Sequence, residues 1–565
     1  MISMRSMRAH AVVGDVARGR ARTRRTTTRA SAPRGCPSPS HGARENQQSR
    51  RDGVKAQNAR FDARASAVDA SAVRGRAETT TSLSPTTTTS STTRASESRQ
   101  TRTTSERARR RIKMRDVRCV VLAGGADETN PLTKNRARSA MRLGGPYRVI
   151  DFPMTNLINS GARQMYVLTQ YNSHSLVSHV SRAFPAEMFG NNYEGFVEVL
   201  PTSQSREHGE TWSVGSADCV LRHLTAGSLT KQRFDVEWED ECLAELGSLQ
   251  ECSAYAADGV TIVLAAEQLY EMDFNQFLEQ HLASGADVTI GMHTDADAGS
   301  ATRLGVMDVD ENTGEVFSFV EKPDIEKLAE FMECSTEAEL NACSFKVNMG
   351  VYAFNNSVLE ELLVNSKVDS TRHEFGSHVI PYALDRGYKV SSFRHEAYWQ
   401  PIRSLRDCYE ANISVATDGA AASLLSFDRV MFTKPNFLPP TTFYGSSLVQ
   451  GSIVSDGCVI HDESKVIDSV VGPCTILGKN VSLERVVLVG RDEMLKRAGT
   501  KVPDVGENTT LRNCVVDSDA IIGANVSITN ARGIQNMDCS DYGYVITEGI
   551  VTILGGVVIP DGFKM

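Results

Sequence analysis

The chain has 565 residues, 61 Lys and Arg against 69 Asp and Glu, a formal net charge of −8 and 41% apolar residues, enough for at least two domains with cores of their own. No run of 18 apolar residues occurs, so a membrane-spanning helix is not expected. Residues 1–113 hold 25 Lys and Arg against 8 Asp and Glu, a charge of +17 that leaves −25 on residues 114–565, and so acidic a body disfavours nucleic acid as a partner.

The basic first part is rich in Arg, Ser, Thr and Ala, with tracts such as Thr79-Thr80-Thr81 and Thr86 to Thr89. Without apolar periodicity it cannot bury enough surface to offset its ordering entropy, so residues 1–113 are expected to be disordered. Poverty in acids and wealth in arginine and hydroxyls fit an organelle transit peptide followed by a linker. The twelve cysteines show no C-x-x-C pair and no metal-like cluster, so they are expected as small buried hydrophobes in a reducing compartment.

The next stretch, Val120 to Gly161, is the most informative. An apolar run from Cys119 to Leu122 ends in Gly124-Gly125, as a buried strand does where it hands over to a loop that cradles phosphate with backbone N–H groups. Further strand-like runs at Met165–Leu168, Thr261–Leu264, Val288–Met292 and Met349–Phe354 alternate with helical patterns, which predicts a βα domain over 114–420 with a mixed, mostly parallel sheet. A strand from Glu315 to Val320 leads into Glu321-Lys322-Pro323, and Ser357–Leu362 reads as an amphipathic helix after the strand at Gly350. A linker, 421–445, contains Pro435 and Pro439-Pro440.

From 446 to 565 the texture is short β-branched runs spaced by Gly, Asp and Asn. Val470 and Ile476, Val505 and Leu511, then Val516, Ile522 and Ile528 recur at a six-residue period, with Gly472 and Gly478 beside them. In a three-sided coil the inward side chain recurs once per face and stacks on the coil below, which predicts a left-handed parallel β-helix interrupted by a loop between Arg485 and Asp504.

Pro131-Leu132-Thr133-Lys134, Tyr147-Arg148-Val149-Ile150-Asp151 and Asn159-Ser160-Gly161 resemble the start of the sugar-nucleotide pyrophosphorylases, most closely ADP-glucose pyrophosphorylase (glucose-1-phosphate adenylyltransferase). Matches continue to Asp561. The resemblance implies a Rossmann-like nucleotidyltransferase domain before the β-helix, and the joining of glucose 1-phosphate to ATP with Mg²⁺ as cofactor. It places Gly124, Gly125, Gly215, Ser216 and Asp218 at the nucleotide. Gly305, Glu321, Lys322, Asn348 and Glu374 fall on the sugar phosphate, and Lys134, Arg138 and Glu267 on the chemistry.

Several of these positions depart from the family pattern. Ala126-Asp127-Glu128-Thr129-Asn130 stands in place of a GxGTR turn, one residue shorter, without the arginine and with two added carboxylates. A carboxylate about 4 Å from phosphate is repelled by about 4 kcal/mol at an effective dielectric of 20, a factor of about a thousand in rate if it falls on the transition state. Arg138 replaces a lysine, Glu267 replaces the aspartate of an AGD-H motif, and Pro401 replaces the second metal aspartate of YWxDIGT. Octahedral Mg²⁺ tolerates neither of the last two changes well. Asn348 stands for a serine and Glu374 for an aspartate.

The expectation is a subunit that folds but turns over weakly, resembling the large, regulatory type that pairs with small catalytic subunits in a plastid heterotetramer of starch synthesis. The effector segment, Val515 to Gly523, has Ser518 in place of a lysine, leaving Arg512 and Lys501 as nearby cations, so a weak response to 3-phosphoglycerate and phosphate is expected. A competent pyrophosphorylase in which Glu267 and Arg138 have taken over the lost roles stays open, as does a sugar nucleotidyltransferase of other specificity. Acyl transfer is disfavoured, because His461 is the only histidine after residue 395.

Overall fold

A computed structural model describes residues 112–125, 129–189, 195–201, 213, 215–225, 259–295, 297–365, 374–426, 430–491 and 503–565. The segment before Ile112, the loop acids Asp127 and Glu128, and Lys501 lie outside the described residues.

The apolar runs become the strands of one nine-stranded sheet. These are β1 (Arg118–Leu122), β2 (Gln164–Thr169), β3 (Phe196–Pro201), β4 (Val260–Ala265), β5 (Val288–Asp295), β6 (Gly305–Val309), β7 (Val316–Glu321), β8 (Phe345–Asn355) and β9 (Val390–Arg394). Their order is β7-β6-β8-β4-β1-β2-β3, with β5 on β8 and β9 on β5. Strands β4, β1, β2 and β3 are parallel, while β8 runs antiparallel to β4 and β5 and β7 antiparallel to β6. The sheet is thus mixed, as expected.

Alternation along β1 sends Cys119 and Val121 into one core and Val120 into the other. Helices α1 (Asp151–Asn159), α2 (His174–Ala183) and α4 (Phe274–Ser284) cover the first face, and α3 (Ser216–Thr225) and α5 (Asn356–Asn365) the second. A sheet apolar on both faces needs both layers.

Beyond residue 440 parallel strands pair at a constant offset of 17 residues, as in Ile453↔Val470, Val459↔Ile476 and Val466↔Leu483. One coil of the β-helix is therefore three faces of about six residues. The offset widens to 28 where Ser482 pairs Thr510, and residues 492–502 of that insertion lie outside the described set. It widens again where Cys514 pairs Val551, because an antiparallel hairpin, Met537–Cys539 with Tyr544–Thr547, is inserted in the coil.

The inward set is Val466, Val471, Leu477, Leu483, Leu511, Val516, Ile522 and Ile528. The expected start at Val470 and Ile476 is corrected by one residue. In a strand, neighbours face opposite ways, and where both are β-branched the period alone does not tell which points in.

Helix α6 (Leu405–Thr417) ends the first domain and packs on the second, its Leu405, Cys408, Tyr409 and Ile413 sharing a core with Val487, Val515 and Ile550. Its start is fixed by a capping box, Ser404 with Asp407. Among the described cysteines, Cys119, Cys219, Cys408, Cys458 and Cys514 are buried, as expected, while the Sγ atoms of Cys334 and Cys343 face each other at 3.3 Å.

Candidate functional site

A cleft of about 640 Å³ opens where Leu122 and Ala265 end the parallel strands β1 and β4, and it runs across to Gly305, Glu321 and Asn348 on β6, β7 and β8. The carboxyl edge of parallel strands is where α/β sheets bind ligands, since loops diverge there and leave a crevice.

At one end of the cleft Gly125 follows β1. A side chain there would stand 1.9 Å from Glu267 Oε1, so the glycine provides room for that carboxylate. Glu267 Oε2 accepts from Arg138 Nη1 at 2.9 Å, and both side chains are largely buried. Gly124 plays the same part for Gln170, whose side chain lies 2.8 Å from the Cβ position. A two-stranded ribbon, Gln268–Tyr270 with Trp399–Pro401, pairs Pro401 with Gln268 and so brings Pro401 beside Glu267. The Trp399 indole donates to Gln268 Oε1 at 2.7 Å and ties the two strands of the ribbon together, both side chains lining the cleft.

At the other end Glu321 sits between Gly305 and Gly376, whose missing side chains leave it space. Its Oε2 is buried and has no hydrogen-bond partner among the described residues, and burial pushes its carboxyl above the usual range. Lys322, in a left-handed conformation (φ 45°), keeps a half-exposed side chain 3.7 Å from Glu321 Oε1. Asn348 donates to the Tyr352 hydroxyl at 2.7 Å and accepts from Gly350 N at 2.8 Å, which shapes the bulge in β8. Glu374 precedes the helical turn Phe375–Val379 without a side-chain capping bond, and Ser216 at the start of α3 accepts from Phe375 N at 3.2 Å. Both Glu374 and Ser216 line the cleft.

A model of the nucleotidyl transferase family matches residues 118–418, and one of the GLGC left-handed parallel beta-helix domain matches residues 436–563. The chain belongs to the nucleotidyl transferase family. Together its two domains have the architecture of the ADP-glucose pyrophosphorylase family.

As a nucleotidyltransferase, the chain has an unusual metal end. Mg²⁺ needs several oxygen donors at octahedral positions. Here Glu267 is already bound to Arg138, the Pro401 side chain offers no donor, and among the described residues no group of three His, Cys, Asp or Glu side chains is placed to hold a metal. Among the described residues, the side chains at this end of the cleft do not fit the ion.

Two expected site residues lie elsewhere. Lys134 is exposed and lines a second cleft, of about 620 Å³, with Arg136, Arg148, His179, Asp517 and Ser518, away from Glu267. The reason is local: Asn130 caps a short 3-10 turn at Pro131–Thr133 that carries Lys134 outward, while Asn172 Nδ2 holds its carbonyl at 3.0 Å. Asp218 is buried inside α3 and bound to Arg222 at 2.9 Å, one helical turn on. Gly215 begins that helix, its carbonyl accepting from Cys219 N at 3.1 Å. Arg403, by contrast, lines the cleft together with Arg303. It was legible beside Pro401 in the segment Tyr398–Ser404, but a search for carboxylates passes over an added cation.

Proposed function

We propose that the chain is a subunit of a glucose-1-phosphate adenylyltransferase, joining ATP and glucose 1-phosphate into ADP-glucose and pyrophosphate for starch synthesis. In this reading it is a regulatory subunit with degenerate catalytic residues, imported into the plastid stroma and working beside small catalytic subunits in a heterotetramer. A phosphate oxygen of glucose 1-phosphate attacks the α-phosphorus of ATP and pyrophosphate leaves, with no covalent enzyme intermediate. The protein's part is to hold the two substrates in line and to offset the charge that builds on the leaving group.

The observation that carries the weak-turnover reading is the Arg138–Glu267 ion pair with Pro401 beside it. One carboxylate that a divalent ion needs is spent on a guanidinium and the other is missing. Without that charge the leaving pyrophosphate is poorly stabilised, so the chain acts mainly through its partners. Pyrophosphorolysis of ADP-glucose by the chain alone and with a small subunit is the test. The chain alone is expected to be slower by about a hundredfold or more, and a rate within about tenfold of the pair removes the regulatory role.

The second cleft bears on regulation. Arg136 is bound to Asp517 at 3.0 Å, and Ser518 and Asp519 complete that wall. Arg512 pairs with Glu484 at 2.5 Å, away from that cleft. Residues 515–523 thus present an acidic wall, while the cations of this cleft, Lys134, Arg148, Arg182 and Lys434, come from the first domain and the linker, so a phosphorylated effector is matched by those side chains and not by residues 515–523. Titration of the assembled enzyme with 3-phosphoglycerate is expected to respond little to changes in residues 515–523; a strong dependence on them contradicts this.

A further inference from the structure

The cleft holds cations that its own carboxylates do not pair. Arg138 is taken by Glu267. Arg403 is different. Its backbone N–H donates to Asp407 Oδ2 at 3.0 Å, the same carboxylate oxygen that accepts from Ser404 N at 2.9 Å. The start of α6 therefore fixes where Arg403 leaves the chain. Its guanidinium donates to the Arg303 carbonyl, and among the described residues it makes no ion pair. Glu321 and Asp407 act on it only through space, and burial draws its pKa down.

Arg303 lines the same cleft, and the half-exposed Lys322 ammonium lies 3.7 Å from Glu321 Oε1. The other oxygen of that carboxylate, Glu321 Oε2, is buried without a hydrogen-bond partner among the described residues. Buried polar groups in native proteins are nearly always satisfied, and unmet ones facing a cavity mark where a ligand's groups belong. A guanidinium fork matches a phosphate, and a lone carboxylate oxygen matches a hydroxyl. The ligand that meets both is a phosphorylated sugar.

We propose that Arg403, with Arg303, forms an anion subsite that takes the phosphate of a sugar phosphate without a divalent cation, while Glu321 accepts from a sugar hydroxyl. The proposal rests on the nucleotidyltransferase reading and adds a fixed guanidinium where the metal's donors are lacking. A guanidinium cannot be stripped by a chelator, so binding persists when metal is removed.

Calorimetric titration of glucose 1-phosphate into the full chain, in EDTA and again in Mg²⁺, tests it. Affinities within about threefold of each other are expected, with a loss of about tenfold or more for Arg403→Gly and for Arg403→Gln, and a smaller loss for Arg403→Lys. Two substitutions guard against one that fails to fold, and thermal unfolding of each is run beside the titration. Inorganic phosphate is expected to bind about tenfold more weakly, since it leaves Glu321 unmet. Phosphate binding as tightly as the sugar phosphate overturns the sugar assignment. Binding only in Mg²⁺, or binding unmoved by both folded variants, overturns the subsite alone. If neither glucose 1-phosphate nor ADP-glucose binds in any condition, the nucleotidyltransferase reading falls with it.

Discussion

Gly125 and Glu267 share one small volume, and that sharing shapes the metal end of the cleft. A methyl group on residue 125 would stand 1.9 Å from the Glu267 carboxylate oxygen. Gly125→Ala is therefore expected to push Glu267 off Arg138 and to lower unfolding stability by about 2 kcal/mol, read by denaturant titration. His223 gives a pH signature. Both its ring nitrogens are buried without a partner among the described residues, and burial lowers its pKa from 6.5 to about 4. The unfolded chain then binds the proton first, so stability is full above pH 6.5, falls as pH drops, and levels off below about 4. The total loss is about 3 kcal/mol, and His223→Leu is expected to flatten that stretch of the stability-against-pH curve. At this scale the sequence was only partly legible. Glu321, Lys322 and Glu267 could be placed by motif, but the outward turn of Lys134 depends on the Asn130 cap and on Asn172, 38 residues away.

Among the elements, the β-helix shows what a period can and cannot say. Six-residue spacing announced the coil, and the pairing offset is 17 residues, one short of three sixes, because the face from Val466 to Val471 takes five. The register at Val470 and Ile476 was off by one because Val470-Val471 and Ile476-Leu477 offer two apolar neighbours each, and only packing chooses between them. The inserted hairpin at Met537–Thr547 was illegible for a different reason: its strands are short and half exposed, so no alternation marks them. Leu477→Ala is expected to cost about 2 to 4 kcal/mol, whereas Ile476→Ala, on the outward side, costs less than about 1.5. Gly472→Ala sets a methyl 2.2 Å from the Val489 carbonyl oxygen, which is backbone and cannot swing aside. It is expected to destabilise the coil by more than about 2 kcal/mol, measured by the same titration.

For the described molecule as a whole, the decisive element is α6. Its start positions Arg403 in the cleft, and its body packs Leu405, Cys408, Tyr409 and Ile413 against the β-helix. The Tyr409 hydroxyl donates to the Arg485 carbonyl at 2.8 Å, and Arg136 reaches Asp517 across the same junction. Two domains sharing an apolar core are expected to unfold in one transition, and Tyr409→Ala, which removes about 3 kcal/mol of packing, is expected to split it in calorimetry. This junction was invisible in the sequence, since the apolar outward positions Val487, Val515 and Ile550 read as part of the coil's own pattern.

The weak turnover we propose is assigned to the Arg138–Glu267 pair and to Pro401. Pyrophosphorolysis of ADP-glucose by the purified chain, against the triple variant Arg138→Lys, Glu267→Asp, Pro401→Asp, tests it most directly. The variant is expected to gain about a hundredfold or more in rate, in Mg²⁺ only. An unsubstituted chain that already turns over as fast as the variant contradicts the account.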